Sequence, residues 1–125
     1  MSSAARSAGP RRGDAGEDLA CGHLRSRGMK ILARNYRSRS GEIDIVADDG
    51  GTLVFVEVKE RSSESHGSAV EAVTPAKRRK VVRAARAYAA AHGLSDSLVR
   101  FDVLAIDWGP DGPRVRHDAG AFGER

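Results

Sequence analysis

Apolar positions recur every three or four residues in two segments of the chain, and this spacing predicts two amphipathic helices. The first helix is predicted over residues 15–27, after an aspartate cap and before the helix-ending Gly28. The second is predicted to begin at Thr74, with Pro75 at the first helical position, and to end at Gly93. Each helix has one apolar face, so each needs a surface to pack against.

Shorter apolar runs between and after these helices predict β-strands. The predicted strands cover residues 30–36, 42–47, 53–59 and 98–106, with a short edge strand at 114–117. The third run is apolar on both faces until Glu57, which is typical of a central strand that is covered on both sides. A helix, three strands, a second helix and further strands predict a mixed α/β fold.

The second strand has the clearest alternation of apolar and polar positions. This alternation predicts that Ile43, Ile45 and Ala47 share one face of the sheet, opposite Asp44. The acidic and glycine residues at 48–51 then predict a hairpin turn, which makes the second and third strands neighbours.

The chain of 125 residues has the length of one domain. Residues 1–12 are rich in Ser, Ala, Gly, Pro and Arg, and they predict a disordered basic tail. The domain is expected over residues 13–122, followed by a C-terminal tail at 123–125. The Ser and Gly content of residues 60–71 predicts a mobile loop inside the domain.

Composition narrows the class of protein. The longest uncharged apolar run, Thr52 to Val56, is far shorter than the ~20 residues of a membrane helix. The first residues contain no apolar stretch of the kind that a secretory signal has. A single cysteine, Cys21, excludes an internal disulfide and a cysteine-based metal cluster. We therefore expect a cytoplasmic protein without a membrane partner.

Charge is unevenly distributed along the chain, whose formal net charge is +4. The first basic segment, residues 19–41, and the second basic segment, residues 74–92, each contain six Lys or Arg residues and no acid. Eight of the 17 acids lie between the two segments, at residues 42–71. This arrangement favours a polyanionic partner, with bases for the phosphates and acids for a cation, over two merely solvated faces.

The acidic middle of the chain contains the candidate chemistry. Glu57 and Lys59 are two residues apart on one predicted strand, so their side chains point to the same face. Asp44 lies on the neighbouring strand, where the other positions are predicted core. Burying such carboxylates costs several kcal/mol unless they are paired or bind a metal.

Two carboxylates at adjacent strand ends provide hard oxygen ligands, which suit Mg²⁺ or Mn²⁺. The predicted metal site therefore consists of Asp44, Glu57 and the backbone carbonyl of Val58. Lys59 would orient or help to deprotonate a water at this site. With a phosphate as the electrophile, the set predicts metal-assisted phosphodiester hydrolysis.

Two further charged residues lie on the apolar stripes of the predicted helices. Glu17 shares a face with Ala20 and Leu24, and Lys77 shares a face with Val81. Glu17 is a candidate additional ligand or water-holding group. Lys77 is a candidate phosphate contact at the mouth of the site. The alternatives are a salt-bridge partner for Glu17 and a solvated helix residue for Lys77.

These residues resemble the YraN-like family of small bacterial endonuclease-like proteins. They also resemble the wider restriction-endonuclease-like superfamily with the PD-(D/E)xK signature, which includes archaeal Holliday junction resolvases. The most specific matching pieces are Gly41-Glu42-Ile43-Asp44 and the run from Leu53 to Lys59 with Arg61. Further matches are Gly16-Glu17, Gly28 with Ile31-Leu32-Ala33-Arg34-Asn35-Tyr36, Val73-Thr74-Pro75 with Lys77, Arg100-Phe101-Asp102-Val103, and His117 with Ala121-Phe122.

The resemblance implies a single domain with a central mixed β-sheet flanked by helices. It implies that Asp44 and Glu57 are metal ligands, that Lys59 acts beside them, and that Glu17 occupies an acidic position of the first helix found in the resolvase-like branch. One departure is that Ile43, not proline, precedes Asp44.

The predicted partner is nucleic acid, DNA before RNA, with structured or branched DNA favoured because no base-reading motif is evident. The predicted phosphate contacts are Arg34, Arg37, Arg39, Arg61, Lys77, Arg78 and Lys80. One alternative is a nucleic-acid-binding accessory protein that keeps the nuclease fold without cleavage. A protein-interaction domain is a weaker alternative, because it leaves both basic segments unexplained. A homodimer would suit a branched substrate, but a monomer of this length folds equally well.

Overall fold

Five strands and two α-helices follow one another in the described part of the chain, residues 14–62 and 67–123 of a computed structural model. Their bounds are α1 Asp14–Ser26, β1 Lys30–Ser38, β2 Gly41–Asp49, β3 Thr52–Ser62, α2 Pro75–Ala91, β4 Val99–Gly109 and β5 Gly112–Phe122. A single 3₁₀ turn, Val70–Ala72, precedes α2. The predicted tail at 1–12, residues 63–66 of the predicted loop and the last two residues lie outside the described residues.

The five strands form one mixed sheet in the order β1-β2-β3-β4-β5. β3 and β4 are parallel, and the connection between them contains α2. The other neighbouring strands are antiparallel. The predicted α/β fold with a central mixed sheet is confirmed, and it is consistent with a restriction-endonuclease-like architecture.

The two helices cover opposite faces of this sheet. On one face, Ala20, Cys21 and Leu24 of α1 pack with Val54 and Val56 of β3. On the other face, residues of α2 pack around Phe55 of β3; they include Val81, Ala84, Ala85 and Tyr88. β3 is therefore buried from both sides, as its two-sided apolar pattern predicts.

Alternation in β2 is broken at Asp44, contrary to the sequence prediction. Ile43 lies in the cluster under α2, whereas Ile45 and Ala47 lie in the cluster under α1. The pairing of β2 with β3 begins only at Ile45, so Asp44 lies just beyond the regular ladder. On its other side, Asp44 faces Asn35 of β1, whose φ of 55° is left-handed. The irregular backbone of β1 at Asn35 is therefore level with the end of the β2–β3 pairing.

The strands are longer than their apolar patterns predict. β5 spans 11 residues instead of the short edge strand expected at 114–117, and β3 continues to Ser62 into the predicted loop. The end of β3 is polar, and in β5 polar and glycine residues separate the middle of the strand from Phe122, so the hydrophobic pattern does not show how far either strand extends. Neither helix within residues 14–62 and 67–123 is long and apolar enough to cross a membrane.

Candidate functional site

The candidate site lies where β2 separates from β3. One carboxylate oxygen of Asp44, Oδ2, accepts a hydrogen bond of 2.8 Å from the backbone N–H of Val58. This bond fixes the Asp44 side chain beside β3, although the strand ladder has already ended there. The break in alternation therefore brings Asp44 next to the segment that contains Glu57 and Lys59.

Glu57 is a buried carboxylate with an incomplete set of partners. The residue is 7% exposed, and its Oε1 atom is buried without a hydrogen-bond partner. Its Oε2 atom lies 3.5 Å from the ammonium Nζ of Lys77 on α2. Burial and the nearby charge of Asp44 raise the pKa of Glu57 to about 8. Lys77 and Lys59 oppose this shift but do not cancel it.

The pKa of Asp44 is also raised, for similar reasons. Burial raises its pKa, and the negative charges of Glu17 and Glu42 raise it further. The hydrogen bond from Val58 and the charge of Lys77 act in the opposite direction. The two carboxylates therefore repel each other in a buried setting, and the chain itself supplies too little positive charge to neutralise both.

Lys59 is exposed at the same end of β3. Its charge lowers the pKa of Glu57, so its ammonium is close enough to act on the site electrostatically. Val58, between Glu57 and Lys59, is half-buried. The structure thus brings together the predicted set Asp44, Glu57, Val58 and Lys59 at one strand end.

Glu17 approaches the site from α1 on the opposite face of the sheet. Its Oε1 atom accepts hydrogen bonds from Asn35 Nδ2 at 3.0 Å and from Arg34 Nη2 at 3.4 Å. The start of α1 lies close to β3, because a Cβ added at Gly16 would lie 2.5 Å from Glu60 Oε2. The charge of Glu17 is close enough to Asp44 to raise the pKa of that carboxyl.

Asn35 is a site residue that sequence analysis did not identify. It faces Asp44 across the β1–β2 pair and holds Glu17 through its side-chain amide. Its φ of 55° lies in the left-handed region of backbone conformation, which is unfavourable for most residues other than glycine. Asparagine tolerates this conformation better than most side chains, so an Asn inside an otherwise regular strand is the clue that was available.

Asp44, Glu57 and the carbonyl of Val58 have the donor chemistry that Mg²⁺ and Mn²⁺ prefer. The partnerless Oε1 of Glu57 and the repulsion between buried Glu57 and half-buried Asp44 are the features that a divalent cation would relieve. Across residues 14–62 and 67–123, no group of three or more His, Cys, Asp or Glu side chains is placed to hold a metal. The two carboxylates fit an ion that keeps several waters, as Mg²⁺ usually does.

The seven predicted phosphate contacts fall into two groups. Three of them have guanidinium groups already held within the chain. Arg34 pairs with Asp18 at 2.9 Å, and Arg61 pairs with Asp107 at 2.8 Å with its side chain only 9% exposed. Arg78 donates to the backbone carbonyls of Val73 and Val70, both at 2.9 Å. The guanidinium groups of these three arginines therefore stabilise the fold through contacts within the chain.

The other predicted contacts are more accessible. Arg39 and Lys80 are exposed, and Arg37 lies 3.8 Å from the equally exposed Glu42. Lys77 is 41% exposed beside Glu57, at the start of α2. Positive charge therefore lies on both sides of the two carboxylates, on β1 and on α2.

A second buried charge cluster lies elsewhere in the sheet, on β4 and β5. Asp102, fully buried, accepts hydrogen bonds from His117 Nε2, Arg100 and the backbone N–H of Gly120. His117 Nδ1 lies 3.2 Å from His23 Nε2 of α1. These contacts are structural hydrogen bonds that join β4, β5 and α1.

Comparison with known proteins places these features in a family. The model of the uncharacterised protein family UPF0102 matches residues 16–106. A UPF0102 protein of Anaeromyxobacter dehalogenans is 48% identical over 110 residues, covering 88% of this chain and 82% of the relative. One of Geobacter sulfurreducens is 49% identical over 108 residues, covering 86% and 84%. One of Symbiobacterium thermophilum is 51% identical over 100 residues, covering 80% and 85%. The chain therefore belongs to the uncharacterised protein family UPF0102.

Proposed function

We propose that this protein is a metal-dependent nuclease that hydrolyses phosphodiester bonds in DNA. The observation that carries this proposal is the state of Glu57. One of its carboxylate oxygens has no partner, and burial, together with the nearby charge of Asp44, raises its pKa to about 8. If this position in β3 were purely structural, an apolar side chain would be more stable there. The presence of a carboxyl group instead therefore indicates a ligand-binding role.

Asp44, Glu57 and the carbonyl of Val58 would hold Mg²⁺ or Mn²⁺. When bound, the ion supplies an electrophile that stabilises negative charge on the phosphate. The hydrogen bond from Val58 keeps Asp44 in one orientation, so little ordering is left to be done when the ion binds. Asn35 and Arg34 do the same for Glu17, which is a candidate water-holding group.

The two lysines have separate roles in this proposal. Lys59 is exposed beside Glu57, where it would orient an attacking water or hold a phosphate oxygen. Lys77 balances the charge of Glu57 in the metal-free protein. Once an ion replaces it as the partner of Glu57, Lys77 would be available to contact a phosphate at the mouth of the site.

DNA with a branched or otherwise irregular structure is the proposed substrate. Arg37, Arg39 and Lys80 are exposed and would contact backbone phosphates, which are the same in every sequence. None of the described elements has the arrangement of a recognition helix with side chains aimed at base edges. Selection by shape therefore fits this surface better than selection by sequence.

A binding protein that keeps the nuclease fold without cleavage is the second candidate. The observation that favours it is the contact of 3.5 Å between Lys77 Nζ and Glu57 Oε2. This contact gives Glu57 a positive partner within the chain, as a structural ion pair would. In this case the protein would bind nucleic acid as an accessory in recombination, repair or DNA uptake.

A cleavage assay separates the two candidates. Labelled duplex, single strand, flap and four-way junction are each incubated with Mg²⁺, Mn²⁺ or EDTA. Wild type is compared with Glu57→Ala, Lys59→Ala and, as a control, Glu42→Ala, which removes an exposed carboxylate of the same strand pair. The nuclease proposal requires metal-dependent cutting that Glu57→Ala and Lys59→Ala abolish and Glu42→Ala retains. Salt-sensitive binding without cutting by wild type would support the accessory protein instead.

A further inference from the structure

A groove runs beside α2 on the face of the sheet that this helix covers. α2 packs mainly over β1, β2 and β3, and it leaves part of β4 and β5 open next to it. A cavity of about 790 Å³ lies there, and its lining includes buried Phe55 and Phe101, half-buried Phe122 and exposed Val99. The rings of Phe101 and Phe122 are stacked, with centroids 5.2 Å apart. The cavity volume is within the roughly 300–1,000 Å³ range of pockets that take small organic groups.

A second cavity of about 430 Å³ continues this space toward the start of α2. The two cavities share Val82, Arg86, Phe122 and Gly123 in their linings, so together they form one groove, here called the α2 groove. The second part is lined by Arg78, Arg79 and Arg83.

The rim of the α2 groove has positive charge that the rest of the described chain does not neutralise. Arg79 and Arg83 are four residues apart, so they follow one side of the helix. Both are exposed, and neither forms an ion pair with another described residue. The groove thus combines an arginine rim with an aromatic and apolar lining.

We propose that the α2 groove binds a single-stranded segment of nucleic acid. Single strands are bound by positively charged grooves that follow the backbone and by aromatic rings against which bases stack. Arg79 and Arg83 would contact phosphates. Bases would lie against Val99 and the exposed part of Phe122, because the ring faces of Phe122 are covered by Phe101 and by the guanidinium of Arg78, which lies 5.8 Å from the ring centroid. A base-paired helix keeps its bases stacked inside, so it could use the arginines but not the aromatic lining.

The direction of the groove suggests which part of a substrate it holds. Arg78 at its beginning directly follows Lys77, the residue that contacts Glu57. A strand lying in the groove would therefore lead to the candidate catalytic site. This inference rests on the proposed function. It implies that the preferred substrate is a DNA in which a single-stranded arm adjoins a duplex.

Self-association through the same surface is disfavoured by charge. A two-fold contact between copies presents the same patch from both sides, so Arg79 and Arg83 would face their own counterparts. Like charges brought together in this way repel. A polyanion supplies the opposite charge along the whole rim.

Binding is tested with the double variant Arg79→Gln/Arg83→Gln, in EDTA so that no cleavage occurs. Fluorescence anisotropy is measured for a single strand, a blunt duplex and a forked duplex with one single-stranded arm. We expect affinity for the single strand and the fork to fall about tenfold. The slope of log affinity against log salt should also become shallower by about 1.4, because two phosphate contacts are lost.

The matched control is Arg25→Gln/Arg27→Gln, which removes the same charge from the exposed surface of α1 and its end, on the other face of the sheet. Phe122→Leu keeps an apolar side chain but removes the ring, and it should weaken single-strand binding about fivefold with little effect on blunt duplex. An equal loss in both arginine double variants would overturn the proposal, as would an equal loss for blunt duplex and single strand. A wild-type dimer whose dissociation constant changes in Arg79→Gln/Arg83→Gln but not in Arg25→Gln/Arg27→Gln would instead assign the groove to self-association.

The result is separable from the proposed nuclease activity. If no substrate is cut but the groove variants lose single-strand binding, the activity fails and the groove assignment stands. If wild type cuts DNA but the groove variants bind single strands as wild type does, the groove assignment fails and the activity stands.

Discussion

Glu57 carries a cost that its neighbours in β3 do not have. Leu53, Val54, Phe55 and Val56 bury apolar side chains, and the next residue buries a carboxylate. Burial first and the charge of Asp44 second raise its pKa to about 8, well above the ordinary value of 4.5. At neutral pH the folded metal-free chain therefore binds a proton at Glu57 more strongly than the unfolded chain does.

Replacing Glu57 by Gln should stabilise the metal-free protein as the pH rises. Between pH 4.5 and about 8 the folded state binds more protons than the unfolded state, so its free energy of unfolding falls with increasing pH. Gln is neutral at every pH, so this decrease in the free energy of unfolding is absent from Glu57→Gln. We expect Glu57→Gln to be more stable than wild type by at least about 1.4 kcal/mol at pH 8.5, one pKa unit's equivalent, and nearly equal to it at pH 4.

Urea denaturation in EDTA at several pH values measures this difference. Glu42→Gln is the matched control, because Glu42 is an exposed acid on β2. Its stability should follow that of wild type over the whole range. A pH-independent difference between Glu57→Gln and wild type would show that the Glu57 carboxylate does not titrate as proposed.

Lys77 should compete with a divalent cation for Glu57. The Lys77 ammonium lies 3.5 Å from Glu57 Oε2, where it supplies the positive charge that an ion would bring. Lys77→Met should therefore raise the affinity for Mn²⁺ about two- to fivefold, corresponding to the ~0.4–1 kcal/mol of a half-exposed ion pair. Cleavage should fall at the same time, because the phosphate contact is lost.

Titration calorimetry with Mn²⁺ checks the affinity, with Lys80→Met as the control. Lys80 lies on the same helix, is exposed, and forms no ion pair with another described residue. Its loss should leave Mn²⁺ affinity close to that of wild type. A lower Mn²⁺ affinity in Lys77→Met would mean that Lys77 supports the ion site instead of competing for it.

Sequence reasoning identified the charged residues of the site but not how they are held. Asp44, Glu57 and Lys59 were predictable because charges interrupt a run of core positions. The contact of Lys77 with Glu57 was not, since the spacing within α2 does not show which strand that helix covers. Asn35 was missed because a polar residue on an edge strand looks like ordinary surface until its backbone angle is known.

Among the elements, β4 and β5 are joined by a buried polar network that the apolar pattern does not show. Asp102 accepts hydrogen bonds from Arg100, His117 and the N–H of Gly120. Burial alone would raise its pKa, but the bonds from His117 and Arg100 outweigh burial, so the pKa is lowered. These hydrogen bonds explain why β5 stays paired with β4 where its sequence is polar, between His117 and Gly120.

Asp102→Ala should destabilise the protein by about 2–3 kcal/mol, because it leaves the buried side chain of His117 without its acceptor and half-buried Arg100 with only Asp49 as a partner. The stabilisation by the charged Asp102 is present above its ordinary pKa of 3.8 and is lost as the pH falls through its lower folded value. The gap between wild type and Asp102→Ala should therefore shrink in acid. Urea denaturation between pH 3 and 8 measures it, with exposed Asp96→Ala as the control. A loss below about 1 kcal/mol at pH 7 would contradict this role.

Element types were predictable and element lengths were not. The spacing of apolar residues predicted both helices, because their apolar stripes face the sheet. Pro75 also predicted where α2 begins. β5 was predicted too short because only its middle alternates, while Asp102 pairs with its far end through Gly120. The face assignment of Ile43 was wrong because strict alternation cannot anticipate the irregular position at Asp44.

At the scale of the whole molecule, the site brings together charged residues of two helices that lie on opposite faces of the sheet. Glu17 comes from α1 on one face of the sheet, Lys77 from α2 on the other, and Asp44 and Glu57 from the strands between them. The order of the strands and the opposite placement of the helices create this meeting point. Neither could be derived from any single segment of the sequence, although the α/β class could.

A cation held by Asp44 and Glu57 should therefore stabilise the whole fold, because it binds the folded chain and relieves repulsion between two strands. Binding at a hundredfold excess over Kd adds about 2.7 kcal/mol, and for a domain of this size that corresponds to a Tm increase of about 10 °C. We expect Mn²⁺ to raise the Tm of wild type by this order, and to leave the Tm of Asp44→Asn and Glu57→Gln nearly unchanged. Each variant is compared with itself in EDTA, so its own change in stability cancels. Equal increases in all three proteins would mean that the ion binds elsewhere, and the two carboxylates would then need another explanation.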